Sequence, residues 1–451
     1  MRKTDVVVIG GSAAGIVAAT TGKAFYPDKD FLLIRKEQEV LVPCGIPYSF
    51  GTLEGNDQNI IADSILEKGN VKLQIGEVIS IDQENKYCTI NNGEKISYDK
   101  LVLALGSIPV VPKKLEGIHL DNVFTIPKDK IYLDKIREKL EGLSEIIVIG
   151  GGFIGVEMAD ELNKTGKNIT LVEILPHILG LAFDDELALK AEEHLQSRGV
   201  TLKTNVGVKQ IQGDESVSQV ILTNGETHKA DAVILSTGYR PNTILAKDTG
   251  LVINEKGFIK VNEYLMTSHA DIFAVGDCAE KSSFLTRTLK GTMLASTACA
   301  EARIAGMNLF KLSALRSFGG TISIFCTAIG ETGFGVAGVN EKLAKERGFD
   351  VISGRFEGID KHPGTLPNTH EQIVKLIASR ESGTIIGGEV IGGISTGELT
   401  NLIGIIVENQ MTSISLLTSQ IGTHPFLTAP PTAYPLIKAA EIVERKRRNV
   451  M

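Results

Sequence analysis

The sequence lacks three features that would each indicate a particular class of protein. It has no surplus of positive charge, because 47 Lys and Arg stand against 54 Asp and Glu and the net charge is −7. This balance argues against nucleic acid or an anionic membrane as a partner. No apolar run reaches the ~18 residues that span a bilayer, and the apolar start is too short for a secretory signal. We therefore expect a cytoplasmic protein.

Cysteine is also scarce, with five residues that are odd in number and widely scattered. Such spacing predicts neither a disulfide framework nor a zinc site, and no other metal site is predicted. At most one or two of these thiols are expected to be reactive. The five are Cys44, Cys88, Cys278, Cys299 and Cys326.

The chain is rich in glycine and long enough for several domains. Its 451 residues correspond to about three domains on the usual length scale. Glycine makes up about 10% of the residues, against an average of roughly 7%. This composition is typical of a fold with many tight turns between strands and helices.

One motif occurs twice: an apolar strand that runs into a glycine turn and then into a helix. Residues 6–15 read VVVIGGSAAG, and residues 146–155 read IIVIGGGFIG. This geometry directs backbone N–H groups and a helix N-terminus at a pyrophosphate, so two copies predict two dinucleotides, a flavin and a nicotinamide, and hence an electron-transfer enzyme. Serine replaces the middle glycine of the first copy but is small enough for a phosphate to approach. The predicted cofactor contacts are Gly10, Ser12, Ala13 and Gly15 in the first copy and Gly150, Gly152 and Gly155 in the second.

The residue expected to bind the adenosine ribose differs between the two copies. Glu173 ends the second strand of the second copy, 23 residues after Gly150. A carboxylate there accepts hydrogen bonds from the ribose diol and repels a 2′-phosphate, which favours NADH over NADPH. In the first copy, Arg35 and Lys36 stand where the acid is expected. Two alternatives are open: Glu37 reaches the ribose, or Arg35 stacks on the adenine.

Two similar phrases mark the places where the chain leaves each dinucleotide module. Residues 98–107 and 232–241 are each a buried strand that ends in a glycine turn, at Gly106 and Gly238. A later strand ends at Asp277 and is expected to return the chain to the first module. From about Gly319 the pattern changes to that of an α+β domain, with strands expected near residues 321–328 and 385–391.

These features, together with Cys44 in the segment PCGIPY at residues 43–48, resemble the pyridine nucleotide–disulfide oxidoreductase family. The similarity covers essentially the whole chain and is greatest to the single-cysteine branch of coenzyme A disulfide reductases, NADH oxidases and peroxidases, and persulfide or polysulfide reductases. It implies an α/β fold of two nested Rossmann-like dinucleotide-binding domains plus a C-terminal α+β dimerisation domain. The implied divisions are an FAD-binding domain at 1–112 and 247–318, an NAD(P)-binding domain at 113–246 and a dimerisation domain at 319–451, in a homodimer.

The resemblance makes Cys44 the redox residue. It is expected at the start of a helical segment, where a thiol more easily becomes a thiolate. The family's two-cysteine members carry a second cysteine five residues away, but those positions here are Ser49 and Glu39. Cys44 is therefore expected to cycle through a mixed disulfide with a small molecule, a persulfide or a sulfenic acid. The other four cysteines are interpreted as structural.

Further roles follow from the same resemblance. Asp277 is expected against the ribityl or phosphate part of FAD, and Glu157 is expected to face the nicotinamide. The segment with His424 and Pro425 resembles the His-Pro of two-cysteine reductases, in which the partner subunit's histidine protonates the leaving thiolate. The glutamate that orients that imidazole is replaced by Ala429.

Two interpretations of His424 therefore remain: it is an acid–base catalyst, or it only packs at the dimer interface. Tyr434 is a lesser candidate for donating a hydrogen bond to sulfur. His362 is interpreted as a loop histidine.

The leading hypothesis is an FAD enzyme that takes a hydride from NADH and passes an electron pair to sulfur through Cys44. Its substrate would be a small disulfide or persulfide, such as coenzyme A disulfide, coenzyme A persulfide or polysulfide. One alternative is an NADH oxidase or peroxidase that cycles Cys44 through sulfenic acid. Ala13 argues against it, because those relatives carry a histidine at that position. The other alternative is a flavin electron-transfer protein with a protein acceptor.

Overall fold

The computed structural model describes residues 1–450, which form two compact units. The first unit comprises residues 1–113, 124–142 and 237–321, and the second comprises 114–123, 143–236 and 322 onward. The second nucleotide motif and the C-terminal sheet thus belong to one unit. The three-domain division expected from the sequence, with its boundaries near 112, 246 and 318, stays a prediction.

The first 142 residues contain ten strands and three helices. Short 3-10 turns at Pro43–Gly45, Pro47–Phe50 and Asn56–Asn59 lie between β3 and α2. The strands are β1 (Arg2–Lys3), β2 (Val6–Ile9), β3 (Phe31–Arg35), β4 (Lys72–Ile75), β5 (Val78–Asp82), β6 (Tyr87–Ile90), β7 (Lys95–Ser97), β8 (Lys100–Leu103), β9 (Ser107–Pro109) and β10 (Val123–Thr125), and the helices are α1 (Ala13–Phe25), α2 (Ser64–Lys68) and α3 (Lys130–Leu140).

Residues 143–321 contain eleven strands and four helices, with a 3-10 turn at Gly276–Cys278. The strands are β11 (Glu145–Ile149), β12 (Asn168–Val172), β13 (Thr201–Lys203), β14 (Val208–Gly213), β15 (Val217–Leu222), β16 (Thr227–Lys229), β17 (Ala232–Leu235), β18 (Tyr239–Pro241), β19 (Ile272–Ala274), β20 (Lys281–Ser282) and β21 (Leu289–Lys290). The helices are α4 (Phe153–Lys164), α5 (Asp185–Ser197), α6 (Ile244–Asp248) and α7 (Ala295–Met307).

The remaining described residues contain five strands and four helices, with a 3-10 turn at Pro431–Ala433. The strands are β22 (Phe325–Ile329), β23 (Thr332–Gly338), β24 (Val351–Ile359), β25 (Glu371–Ser379) and β26 (Ile385–Gly392). The helices are α8 (Glu341–Glu346), α9 (Thr396–Glu408), α10 (Ser413–Leu417) and α11 (Pro435–Arg447). The strand expected near 385–391 is confirmed, whereas the one expected from residue 321 begins only at Phe325.

Each unit contains a parallel sheet of the doubly wound kind. In the first unit the strand order is β4-β3-β2-β8-β19, and all neighbours are parallel. In the second unit β13, β12, β11 and β17 follow one another in the same arrangement. The strand β2 and residues 146–149 of β11 are apolar and buried, as parallel strands covered on both faces should be. Such sheets bind ligands at the carboxyl ends of their strands, where both glycine turns lie.

The C-terminal part of the second unit is an antiparallel sheet in the order β22-β23-β26-β25-β24. Its first strand also packs along α4 of the nucleotide module. The rings of Phe153 and Phe325 are stacked with centroids 4.9 Å apart, and the amide of Gly330 donates to Asp160 at 3.1 Å. Helix and strand are therefore joined within one compact unit.

A buried ammonium group links the same sheet to the start of α5. The Nζ atom of Lys375 on β25 lies 2.8 Å from a carboxylate oxygen of both Asp184 and Glu186, and 3.2 Å from Glu341. Glu389, which is fully buried on β26, accepts a hydrogen bond from the Asp184 amide at 2.6 Å. Burial raises the pKa of the Glu389 carboxyl well above its usual range.

Among residues 1–450, no helix is long and apolar enough to cross a bilayer.

Candidate active site

The first glycine turn has the shape that a pyrophosphate requires. Gly10 follows β2 with φ +113°, a conformation that favours glycine, and a Cβ on Gly15 would lie 1.8 Å from the Gly10 carbonyl oxygen. Ser12 precedes α1 in an extended conformation. Its side chain forms no capping hydrogen bond with the described residues. The first amides of α1, which begins at Ala13, thus stay open to a phosphate.

The second turn repeats this geometry. Gly150 has φ +107°, and a Cβ on Gly155 would lie 1.8 Å from the Gly150 carbonyl oxygen. Apart from Gly152 and its two chain neighbours, no described residue has an atom within 4 Å of a Cβ built on Gly152, so there is open space at the start of α4. Both motifs therefore fit a dinucleotide through bare backbone amides and a helix N-terminus.

Glu173 is fixed beside the second motif. Its Oε2 accepts a hydrogen bond from the Gly151 amide at 2.5 Å, and its Oε1 accepts one from the Leu175 amide at 2.8 Å. Each carboxylate oxygen has a second lone pair that can accept a bond from a ribose hydroxyl. The structure places this carboxylate beside the second glycine turn, and its contact with a ribose stays a prediction.

Arg35 occupies the matching place beside the first motif, where a Cβ on Gly11 would lie 2.4 Å from its Cδ. Its guanidinium is buried and binds both oxygens of Asp63, at 2.6 and 2.9 Å. It also donates to the backbone carbonyls of Glu37 and Gln38. This arrangement disagrees with the alternative in which Arg35 stacks on the adenine, because the side chain is held within the loop that follows β3.

The two other predicted contacts of this loop have different exposure. Lys36 is exposed and Glu37 is half-buried. Of the two alternatives for the ribose, the one that involves Glu37 stays a prediction.

The two glycine-ended phrases run side by side in the first unit. Gly106 and Gly238 both have positive φ, +68° and +97°, and the strands that follow them, β9 and β18, pair antiparallel. The amide of Val110 donates to the carbonyl of Gly238, and the amide of Asn242 donates to that of Gly106. The chain thus passes both turns as one paired ribbon.

Asp277 lies close to this ribbon, after β19. Its Oδ2 accepts hydrogen bonds from Ser107 Oγ and Lys128 Nζ, each at 2.7 Å. Burial raises the pKa of the Asp277 carboxyl, but attraction to Lys128 and the bond from Ser107 outweigh that effect and leave the pKa below its usual value. The carboxylate is therefore ionised at neutral pH. Sequence reasoning missed Ser107 and Lys128; the only available signal was the position of Ser107 directly after the Gly106 turn.

Cys44 is exposed in the middle of a one-turn 3-10 helix, Pro43–Gly45. The helical segment expected here is thus a single 3-10 turn, and the next element, Pro47–Phe50, is again a single 3-10 turn. Each proline fixes φ and removes a backbone N–H, which prevents a continuous helix across this segment. The two 3-10 turns are too short to supply the macrodipole of an α-helix at this thiol.

The Cys44 loop is held by a buried asparagine that sequence reasoning missed. Asn59 Nδ2 donates to the Val42 carbonyl at 3.0 Å, and a Cβ on Gly45 would lie 2.0 Å from Asn59 Oδ1. Ser49, at the position of a second cysteine, is fully buried, and its hydroxyl has no hydrogen-bond partner among the described residues. The loop therefore presents one thiol to solvent.

The other cysteines differ in exposure. Burial raises the pKa of the Cys88 thiol to about 12 and that of the Cys278 thiol to about 11, so both are protonated and inert at neutral pH. Cys299 is half-buried, and Cys326 is exposed on β22. A purely structural role for Cys326 is thus not supported by burial.

Glu157 lies on α4, two residues after the second motif. Burial raises the pKa of its carboxyl to about 7, an effect that a hydrogen bond from Thr327 Oγ1 at 2.8 Å partly opposes. A carboxyl group with such a pKa can hold or release a proton near neutral pH. Thr327 comes from β22, which explains why local sequence patterns did not reveal it.

The two C-terminal candidates lie in the second unit. His424 is exposed in a turn of residues 424–428, and its Nδ1 accepts a hydrogen bond from the Phe426 amide at 3.3 Å. Tyr434 directly precedes α11, and burial raises the pKa of its phenol. Ala429, at the position of the missing glutamate, is buried.

The predicted site residues divide between the two units. The first unit holds Gly10, Ser12, Ala13, Gly15, Arg35, Lys36, Cys44, Gly106, Gly238 and Asp277, and the second holds Gly150, Gly152, Gly155, Glu157, Glu173, His424 and Tyr434.

Comparison with known families decides the assignment. Residues 4–302 match the pyridine nucleotide-disulphide oxidoreductase family, and residues 325–434 match its dimerisation domain. The chain belongs to the pyridine nucleotide-disulphide oxidoreductase family. It is an oxidoreductase whose cofactors are FAD and NAD(P)H, and the predicted fold class is confirmed.

Relatives of this family member carry two kinds of name. A NAD(P)H coenzyme A polysulfide/persulfide reductase of Pyrococcus horikoshii is 31% identical over 449 residues, which cover 98% of this chain and 99% of the relative. An NADH oxidase of Methanocaldococcus jannaschii is 30% identical over 458 residues, which cover 98% and 99%. The solved structure of a NAD-dependent persulfide reductase from A. fulgidus matches with a TM-score of 0.90 and 29% identity, over 99% of this chain and 84% of that one. The resemblance inferred from the sequence is confirmed.

Proposed function

We propose that this enzyme reduces a low-molecular-weight disulfide or persulfide with electrons from NADH, and that Cys44 is its redox thiol. The observation that carries the proposal is the exposed Cys44 in a loop whose second-cysteine position is a buried serine. Because the position of a second cysteine in this loop is a serine, Cys44 would exchange with a sulfur atom from outside the loop, which a small disulfide or persulfide provides.

The predicted site residues would have separate roles in binding the two cofactors. Bound FAD would take the hydride of NADH and supply the electron pair for sulfur. The first motif with Gly106, Gly238 and Asp277 would hold FAD, and the second motif with Glu157 and Glu173 would hold NADH. The carboxylate of Glu173 supports NADH over NADPH, because it would repel a 2′-phosphate.

The reduction of the substrate S–S bond needs only one protein thiol, that of Cys44. The Cys44 thiolate bonds to one sulfur of the substrate, and the substrate S–S bond breaks. The leaving thiolate takes a proton, and Cys44 is left in a mixed disulfide. The electron pair that NADH supplies would then cleave that bond, so that one disulfide, one NADH and one proton give two thiols and NAD⁺.

Two further features bear on the acceptor and the assembly. Ala13 at the start of α1 leaves that position without an acid–base group for peroxide, which supports sulfur over oxygen. The names of relatives include coenzyme A polysulfide/persulfide reductase as well as NADH oxidase, so an oxidase is the second candidate.

The match to a dimerisation domain supports a homodimer, and thiol chemistry of this kind suits the reducing cytoplasm.

The test is NADH oxidation without oxygen by the purified enzyme, with coenzyme A disulfide or coenzyme A persulfide as acceptor. Wild type is compared with Cys44→Ser and with Cys326→Ser, a matched control at another exposed cysteine. We expect turnover that is lost only in the Cys44 variant. A second assay supplies oxygen as the acceptor, and turnover there alone would favour the oxidase. Full activity of Cys44→Ser in the assay without oxygen would refute the proposal that Cys44 is the redox thiol.

A further inference from the structure

Two histidines of the second unit are held in opposite tautomers by their backbone partners. At His424, the ring Nδ1 faces the Phe426 amide at 3.3 Å. An amide N–H can only donate, so this Nδ1 must be the unprotonated nitrogen. The neutral ring of His424 then carries its proton on Nε2 and presents a donor to solvent.

At His362 the hydrogen-bonding role of Nδ1 is reversed. Its Nδ1 lies 3.1 Å from the carbonyl oxygen of Thr428. A carbonyl can only accept, so Nδ1 carries the proton and Nε2 of the neutral ring is bare. Protonation of Nε2 leaves this bond intact, whereas protonation of His424 on Nδ1 would set two donors against each other. Only the His362 ring can gain and lose a proton without losing its anchor.

His362 also makes the hydrogen bonds that hold the His-Pro turn, residues 424–428, in place. Its amide donates to the Pro425 carbonyl at 3.1 Å, in addition to the ring bond to Thr428. The turn itself is closed by the Leu427 and Thr428 amides, both bonded to the His424 carbonyl at 3.0 Å. His362 therefore belongs to the same small structure as His424, although it lies about sixty residues earlier in the chain.

The charged neighbours of His362 along its loop are already engaged with other groups. Lys361 Nζ donates to the carbonyls of Pro367 and Asn368, at 2.9 and 2.7 Å. Asp360, which is buried, binds the ring and the amide of His370, at 3.1 and 2.8 Å. The Thr428 carbonyl is thus the group that orients the His362 ring, in place of a carboxylate.

We propose that His362 is the histidine that gives the proton to the leaving thiolate and that His424 acts as a hydrogen-bond donor. This inference rests on the function proposed above and on a homodimer in which the His-Pro turn of one subunit serves the thiol of the other. In the step, the imidazolium of His362 transfers its Nε2 proton to the thiolate released when Cys44 bonds to the substrate. The neutral ring keeps its Nδ1–H on Thr428 and regains a proton from solvent.

The test uses two variants of the holoenzyme that each keep one hydrogen-bond donor of the original ring. In His362→Asn, the side-chain amide can still donate to the Thr428 carbonyl, but the basic Nε2 is gone. In His424→Gln, the side-chain amide retains a donor at the position of Nε2. Reduction of coenzyme A disulfide is measured from pH 5 to 9, and reduction of the bound flavin by NADH reports separately on folding and cofactor binding.

We expect His362→Asn to lower the rate of the sulfur step about 10²- to 10⁴-fold and to abolish its pH dependence. We expect His424→Gln to lose less than about tenfold and to keep that dependence. Loss of the pH dependence in His424→Gln but not in His362→Asn would overturn the proposal, as would its retention in both. A wild type that reduces no sulfur substrate would instead refute the proposed function.

The tautomers can be tested without any turnover. In ¹⁵N-histidine NMR spectra, with signals assigned from the two variants, we expect an unprotonated Nε2 at His362 and an unprotonated Nδ1 at His424. The opposite pattern at His362 would overturn the inference whatever the substrate.

Discussion

The hydrogen bond between Thr327 and Glu157 makes a measurable prediction about the proton held beside the nicotinamide motif. Thr327 is 7% exposed, and its hydroxyl donates to Glu157 Oε1 at 2.8 Å. Burial raises the pKa of the Glu157 carboxyl to about 7, and this bond limits the rise. The substitution Thr327→Val removes the donor and keeps the shape of the side chain.

The size of the effect follows from the strength of the bond. A hydrogen bond to a charged group contributes about 1.5–3 kcal/mol. Each pKa unit corresponds to about 1.36 kcal/mol, so loss of the bond would raise the pKa by about 1–2 units. Because the Glu157 side chain is only half-buried, we expect the lower end, about one unit. The direction is upward, since the bond stabilises the ionised form more than the neutral one.

The raised pKa of Glu157 also makes the stability of the folded protein depend on pH. The folded-state pKa of Glu157 lies above its ordinary value of 4.5, so its contribution to stability is fully present below pH 4.5 and is lost as pH rises through about 7. Thr327→Val extends the loss to higher pH. The variant should therefore match wild type in its urea midpoint at pH 4 and fall below it at pH 9.

The assay is an infrared titration of the carboxyl C=O band, assigned as the band that Glu157→Gln lacks. Thr327→Ser retains the hydroxyl and should titrate within a few tenths of a unit of wild type, whereas Thr327→Val should titrate about one unit higher. An unchanged or lower midpoint in Thr327→Val would show that the bond does not control this carboxyl. An equal shift in Thr327→Ser would point to packing rather than to the hydroxyl.

Two other predictions concern charge. Glu173→Gln removes the carboxylate that would repel a 2′-phosphate. The ratio of kcat/KM for NADPH to kcat/KM for NADH should therefore rise about tenfold, a change of about 1.4 kcal/mol. An unchanged ratio in steady-state assays would contradict the prediction that Glu173 selects NADH. Lys375→Met leaves Asp184 and Glu186 without their buried cation and should destabilise the second unit by about 3–5 kcal/mol. Thermal unfolding would check it, with Lys342→Met as an exposed control, and equal Tm values for the two variants would refute it.

The dinucleotide motifs could be predicted from the sequence because their physics is local. The strand, the glycine turn and the first helical turn of residues 146–155 depend on neighbouring residues, so apolar runs and glycine spacing are enough. The same holds for β26. The single 3-10 turn at Cys44 was also local, and Pro43 and Pro47 carried the signal that no continuous helix could form there.

The partners of the site residues could not be predicted in this way. The bonds from Lys128 to Asp277 and from Thr327 to Glu157 each join residues about 150 or more positions apart. Asn59 meets Gly45 only because the loop folds back on itself. Such contacts depend on how helices and strands pack, and a residue type such as lysine or threonine has many equally ordinary positions on a surface.

The packing of β22 along α4 has a consequence for engineering. The family divides the sequence at about residues 302–325, yet Phe325, Thr327 and Gly330 complete the surface of a helix that begins at Phe153. A coenzyme cassette cut at that boundary for transplantation would leave the Phe153 ring unstacked, Glu157 without the Thr327 hydroxyl and Asp160 without the Gly330 amide. The portable module is therefore discontinuous: it consists of the segment that carries the coenzyme motif together with the opening strand of the terminal sheet.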